Sequence, residues 1–247
     1  RIIAMFGWTV IFVAVALLTL TPQILMRFTH EPAERASSQE FSWEALRSLW
    51  RPDIFRFSLY AIVYSEAIYG ANAIVALFAN EGLGQSLVAV GDVAALGGIG
   101  MVVGGAAATY LIRRPTISIW QQGVWTAAAV FTILLLMALV ANESNIMLMF
   151  VLWGVCLSAS ELIYITLAMA KADRRMGAGQ FAIFMAISNI GVGLGQSATT
   201  SLIDTIDFRW IFVGLAVINL LLFPLLAMMR QDDERDPNPL LTAVSGN

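Results

Sequence analysis

The chain has 247 residues, of which 59% are apolar and 13% charged, against roughly 45–50% and about 25% in an average soluble domain. Together with a net charge of −3, that balance excludes an ordinary soluble enzyme, a disordered chain and a nucleic-acid binder, which needs a basic field for phosphates. A single cysteine, Cys156, and a single histidine, His30, leave no intramolecular disulfide, cysteine cluster or His-ligated metal site, so no metal or other cofactor is expected. The expected class is all-α: a polytopic helix bundle whose first partner is the lipid bilayer.

Crossing the hydrocarbon core takes about 20 apolar residues in a helix. Seven stretches qualify: residues 2–26, 54–79, 87–112, 117–141, 146–170, 181–203 and 210–229. None shows the period-two alternation of a barrel strand, so the spans are read as helices. Stretch 2–26 is too long for a signal peptide and has no small-residue cleavage site. Next comes 27–52, the longest and most charged connection. Within it Phe41, Ala45, Leu46 and Leu49 recur at helical spacing opposite Arg47 and Arg51, as in an amphipathic helix lying on a membrane surface. Residues 53–230 hold six spans. The tail 231–247, with Asp232, Asp233, Glu234 and Asp236 before Pro237 and Pro239, is expected to be disordered.

Orientation follows from the basic residues. All but Arg1 and Arg209 of the 14 fall on one side: Arg27, Arg35, Arg47, Arg51 and Arg56, then Arg113 and Arg114, Lys171, Arg174 and Arg175, and finally Arg230 and Arg235. The basic side is read as cytoplasmic, with the amino end outside and the tail inside.

A shift of 95 residues aligns two regions without a gap. Ser65-Glu66-Ala67-Ile68-Tyr69 falls on Ser160-Glu161-Leu162-Ile163-Tyr164, and Gly82-Leu83-Gly84-Gln85 on Gly177-Ala178-Gly179-Gln180. Ala73 meets Ala168, and Gly98 and Gly100 meet Gly193 and Gly195, making ten identities in the 36 positions from 65 to 100. Composition alone would give roughly three or four. A shift of three spans reverses the second copy, so the repeats 53–141 and 146–229 are expected to be inverted, with a site near the midplane.

Glu66 and Glu161 are the acidic residues deep inside spans, and no lysine or arginine lies at their depth. A carboxyl group there must pair, face water or carry a proton, which makes both candidates for proton coupling. Ser65, Glu66 and Tyr69 can lie along one side of a helix, Asn72 extends that stripe by a turn, and Ser160 and Tyr164 repeat the pattern around Glu161. With Asn189 and Gln196 in the sixth span, these are the candidate solute-lining residues. No nucleophile–base pair is visible, so an enzyme is not expected and no residue is assigned to catalysis.

One span, a long basic loop and then six spans in an inverted three-plus-three arrangement resemble part of a major facilitator transporter. The resemblance makes 2–26 the sixth helix and 54–229 the seventh to twelfth, with the amino-terminal half of the same polypeptide as a missing partner; Arg1, which is not a methionine, agrees. Gly104-Gly105 through Arg113-Arg114-Pro115 partly matches the family's cytoplasmic signature, without its usual aspartate. Gly179-Gln180-Phe181-Ala182 and Ser188-Asn189-Ile190-Gly191 are similar to the muropeptide permease and acetyl-CoA transporter branch. That likeness implies proton-coupled import of a sugar-peptide or related small solute across a bacterial inner membrane. A seven-span receptor and a non-transporting assembly factor on a transporter scaffold are the alternatives. A retinal protein is not, because 210–229 lacks lysine.

Overall fold

The computed structural model describes residues 10, 12–21, 24, 28, 47, 50–114, 116–172 and 177–235. The chain divides into two compact units, Arg1–Glu40 and Phe41–Asn247. Within the first, the described residues form an apolar helix, α1 (Phe12–Thr21), inside the expected span 2–26. The expected amphipathic helix around Phe41–Leu49 lies outside the described residues but for Arg47.

The second unit is helical throughout: α2 (Pro52–Leu77), α3 (Leu87–Ile112), α4 (Ile119–Leu139), α5 (Ile146–Lys171), α6 (Gly177–Leu202), α7 (Phe208–Leu220) and α8 (Leu222–Arg235). Among the described residues, six helical runs are long and apolar enough to cross a membrane, rather than seven, because only part of 2–26 is described. The last of them, Phe208–Gln231, joins α7 and α8.

Local sequence explains the helix ends. Pro52 opens α2, where a missing N–H costs nothing. The Ser86 hydroxyl accepts the Ala89 N–H at 3.2 Å to cap α3. Ser118 and Gln121 form a reciprocal capping box at α4, each side chain accepting the other's backbone N–H at 3.2 Å. The last turn of α2 widens into a π-turn over Phe78–Gly82. Its Phe78 packs edge-on against Phe212 at 5.2 Å. The break between α7 and α8 has its cause in Pro224, whose ring collides with the Leu220 carbonyl and donates nothing to it. Helix α8 continues through Arg235, so residues 231–235 are helical rather than disordered as expected; residues 236–247 lie outside the described set.

Short connections reverse each successive helix, gathering Arg51, Arg113, Arg114, Lys171 and Arg230 at one end, called the basic end below. At the opposite end Arg209 donates to the Ala138 and Ala141 carbonyls at 2.8 and 2.9 Å, closing the carboxyl end of α4.

Two helix pairs lie in backbone contact. A methyl added at Gly100 or Gly104 would fall on the Val151 or Val155 carbonyl oxygen, joining α3 to α5. One added at Gly191 or Gly195 would fall on the Ile62 or Glu66 carbonyl, joining α6 to α2. In both pairs the glycines are one turn apart and so are the carbonyls they meet. The packing therefore sets Gly100 in the role of Gly191, whereas the sequence match sets it opposite Gly195. The polar residues that align in sequence consequently occupy different surroundings.

Candidate functional site

The strongest polar link between α2 and α5 joins residues from the two aligned regions. Tyr69 donates its hydroxyl to Glu161 Oε1 at 3.0 Å, and both side chains are half-buried. One turn further along α2, the exposed Asn72 accepts the Trp153 indole N–H at 3.2 Å. Glu161 thus meets the first of the three conditions for an intramembrane carboxyl, a hydrogen-bonding partner.

Glu66 is placed differently. Its backbone carries the close approach of Gly195, and none of the hydrogen bonds among the described residues reaches its half-buried carboxylate. The expected stripe on α2 is split. Ser65 turns to α6 and bonds Ser188 at 2.6 Å, completely buried, while Tyr69 and Asn72 turn to α5. A four-residue step on a helix leaves the two side chains close to the seam between neighbours, so each can take a different one.

In the second region, Ser160 and Tyr164 are buried. The Tyr164 hydroxyl donates to the Phe184 carbonyl at 3.0 Å, and its ring stacks on Tyr64 at 4.9 Å. Tyr64 stacks in turn on Tyr60 at 6.0 Å. Phe57 lies parallel to Tyr164 at 6.0 Å and meets Phe184 edge-on at 4.7 Å. This aromatic block binds α2, α5 and α6 together, and its area gives it the weight of a core. In this conformation Ser65, Ser160 and Tyr164 line no open path. Asn189 and Gln196 are exposed on α6.

The structure therefore brings together Tyr69 with Glu161 and keeps Asn72 beside them. It leaves Glu66 outside that link, and Asn189 and Gln196 exposed on α6. Residues that sequence reasoning passed over include Trp153, Ser188, Tyr64 and Asn219. Trp153 and Tyr64 read as apolar bulk, and Ser188 is one of many small hydroxyls. Asn219, with an amide in the middle of an apolar span, carried the signal an intramembrane polar residue always does.

With the geometry in place, comparison with known proteins adds three findings. No curated protein matches the chain. Among solved structures, a bacterial homologue of the human lysosomal transporter Spinster, in an inward-facing and unoccupied conformation, superposes with a TM-score of 0.59 at 19% identity. The superposition covers 93% of this chain and 60% of that one, and it shows a shared fold. A family model described as the Major Facilitator Superfamily matches residues 1–195. That match takes in α1 through most of α6, and with the six membrane-length helices it establishes that this multi-pass membrane chain belongs to the major facilitator superfamily.

Proposed function

We propose that the chain is part of a secondary active transporter that moves a small solute coupled to protons, with Glu161 as the group that takes the proton. The observation that carries this reading is the Tyr69–Glu161 bond. A tyrosine hydroxyl is a neutral donor, so it holds the carboxyl without the permanent counter-charge of a lysine or arginine. Protonation turns a charged acceptor in the α2–α5 contact into a weaker neutral one and so changes the coupling between two helices, which is what a coupling group has to do. Glu66, half-buried and without a hydrogen bond among the described residues, is the second candidate.

Tyr69, Asn72, Asn189 and Gln196 are the solute-facing candidates, with the path completed by the amino-terminal half of the same polypeptide. The gathering of arginines at the basic end supports a cytoplasmic location for that end, with the amino terminus outside and the carboxyl terminus inside. The likeness of the Gly179–Gly191 segment to the muropeptide permease branch makes a sugar-peptide the first solute to test.

The test is uptake by the intact protein in proteoliposomes under an imposed pH gradient. Glu161→Gln is expected to abolish gradient-driven uptake while leaving solute counterflow, which moves no net proton, in place. Full gradient-driven uptake in both Glu161→Gln and Glu66→Gln would refute the reading.

A further inference from the structure

Three of the buried polar atoms without a hydrogen-bond partner converge on one place. They are the Tyr64 hydroxyl on α2, the Ser160 hydroxyl on α5 and Asn219 Oδ1 on α7. All three residues are more than nine-tenths buried. All three line the same narrow packing gap, walled by Ile68, Thr126, Ala127 and Leu222 among others. The Asn219 amide orientation is fixed, because its Nδ2 donates to the Ala127 carbonyl at 2.8 Å and leaves Oδ1 aimed inward.

Three unpartnered polar atoms from three helices are costly in a dry interior, and such groups are ordinarily satisfied by one another or by water. Here they do not bond one another. Their chemistry matches a single water: a phenol that donates, an amide oxygen that accepts and a serine hydroxyl that does either. Three bonds is the usual complement of an internal water. In the packed conformation the crevices between them are narrower than a water molecule.

We propose that Tyr64, Ser160 and Asn219 form an internal water site that fills as this seam loosens, and that it supplies protons to the Glu161–Tyr69 pair from the packed side of the bundle. The proton link rests on the coupling role assigned to Glu161 above; the water site does not. Ser160 directly precedes Glu161 on α5, and Tyr64 stacks on Tyr164 one turn beyond it. On the other side of the gap Thr126 and then Gln122 continue a polar track along α4 toward the basic end, and Gln122 Oε1 is itself unpartnered.

The experiment is pulsed hydroxyl-radical footprinting of the intact protein, which labels buried side chains that touch internal water. Tyr64 is expected to be labelled promptly, while Phe57, equally buried in the same bundle, stays unlabelled. Ser160→Ala combined with Asn219→Leu is expected to remove the Tyr64 signal and to slow gradient-driven uptake, with solute counterflow unchanged. Tyr64 as inert as Phe57 in the unaltered protein overturns the water site. Loss of the Tyr64 signal with undiminished gradient-driven uptake overturns the proton link. A failed coupling role shows itself separately, as normal gradient-driven uptake in Glu161→Gln. Asn219→Ser, which keeps a polar oxygen, covers the case in which the leucine variant does not fold; it is expected to retain the Tyr64 signal, and its loss there counts against the site.

Discussion

Replacing Gly195 with alanine would set a methyl group on the Glu66 carbonyl oxygen and within 2.9 Å of that residue's carbonyl carbon and Cα. All three obstacles are backbone of α2, so no side chain can swing aside and α6 has to retreat. A gap of about 0.5–1 Å forfeits a quarter to a half of each dispersion contact across it, and overpacking of this kind costs about 1–3 kcal/mol. Alanine returns about 1 kcal/mol of helix propensity. The rigid obstacle puts the cost in the upper part of its range, leaving a net loss of about 1–2 kcal/mol, or roughly 2–8 °C in Tm for a chain of this size. A methyl added at Gly193, two residues away, would meet nothing within 4 Å, so Gly193→Ala keeps the propensity gain and is expected to melt no lower than the unaltered protein. The assay is thermal unfolding in detergent followed with a maleimide dye, since Cys156 is the single cysteine and is partly buried. Coincident melting of the two variants would refute backbone contact between α2 and α6.

Three further outcomes follow from the contacts described. Tyr69→Phe removes one interhelical bond worth about 0.6 kcal/mol, so its Tm is expected to stay nearly unchanged while gradient-driven uptake falls; a large loss of stability with normal uptake would make Tyr69 a packing residue. Ser65→Ala or Ser188→Ala alone strands a buried hydroxyl at a cost of about 1–3 kcal/mol, whereas the double variant is expected to lie near the unaltered protein, and additive losses in a double-mutant cycle would contradict a direct bond. Arg209→Met frees two carbonyls at the end of α4 and is expected to lower stability by about 1–2 kcal/mol, with Arg209→Lys intermediate because an ammonium lacks the fork that reaches both.

The spans were legible because a bilayer imposes a length and forbids unsatisfied backbone, so an uninterrupted apolar run has one outcome. Residues 87–112 coincide with α3 for that reason. The helix ends moved by a turn or less where caps such as Ser118 or Pro52 decided them. The acid Glu161 was legible from its depth alone. Its partner was not: Tyr69 and Glu161 are 92 residues apart, and the reading along one helix had grouped Tyr69 with Glu66 instead. Which face a residue takes in a bundle depends on the crossing of neighbours, and that crossing is set by glycines whose partners are carbonyls, groups every residue has. Tyr64 and Ser160 show the same limit, since their significance comes from converging with Asn219 across three helices.

The carbonyl-on-glycine seams have a mechanical consequence. Where two helices touch through their main chains, no rotamer change can lengthen or shorten the contact, so α2 with α6 and α5 with α3 each form a stiff plank. Between the planks, the links that can be altered without tearing a seam are side-chain bonds, Tyr69 to Glu161, Asn72 to Trp153 and Tyr164 to the Phe184 carbonyl, beside the stacked tyrosines. If Glu161 takes the proton as proposed, that proton acts at the joint between planks, on a single hydrogen bond between whole helices.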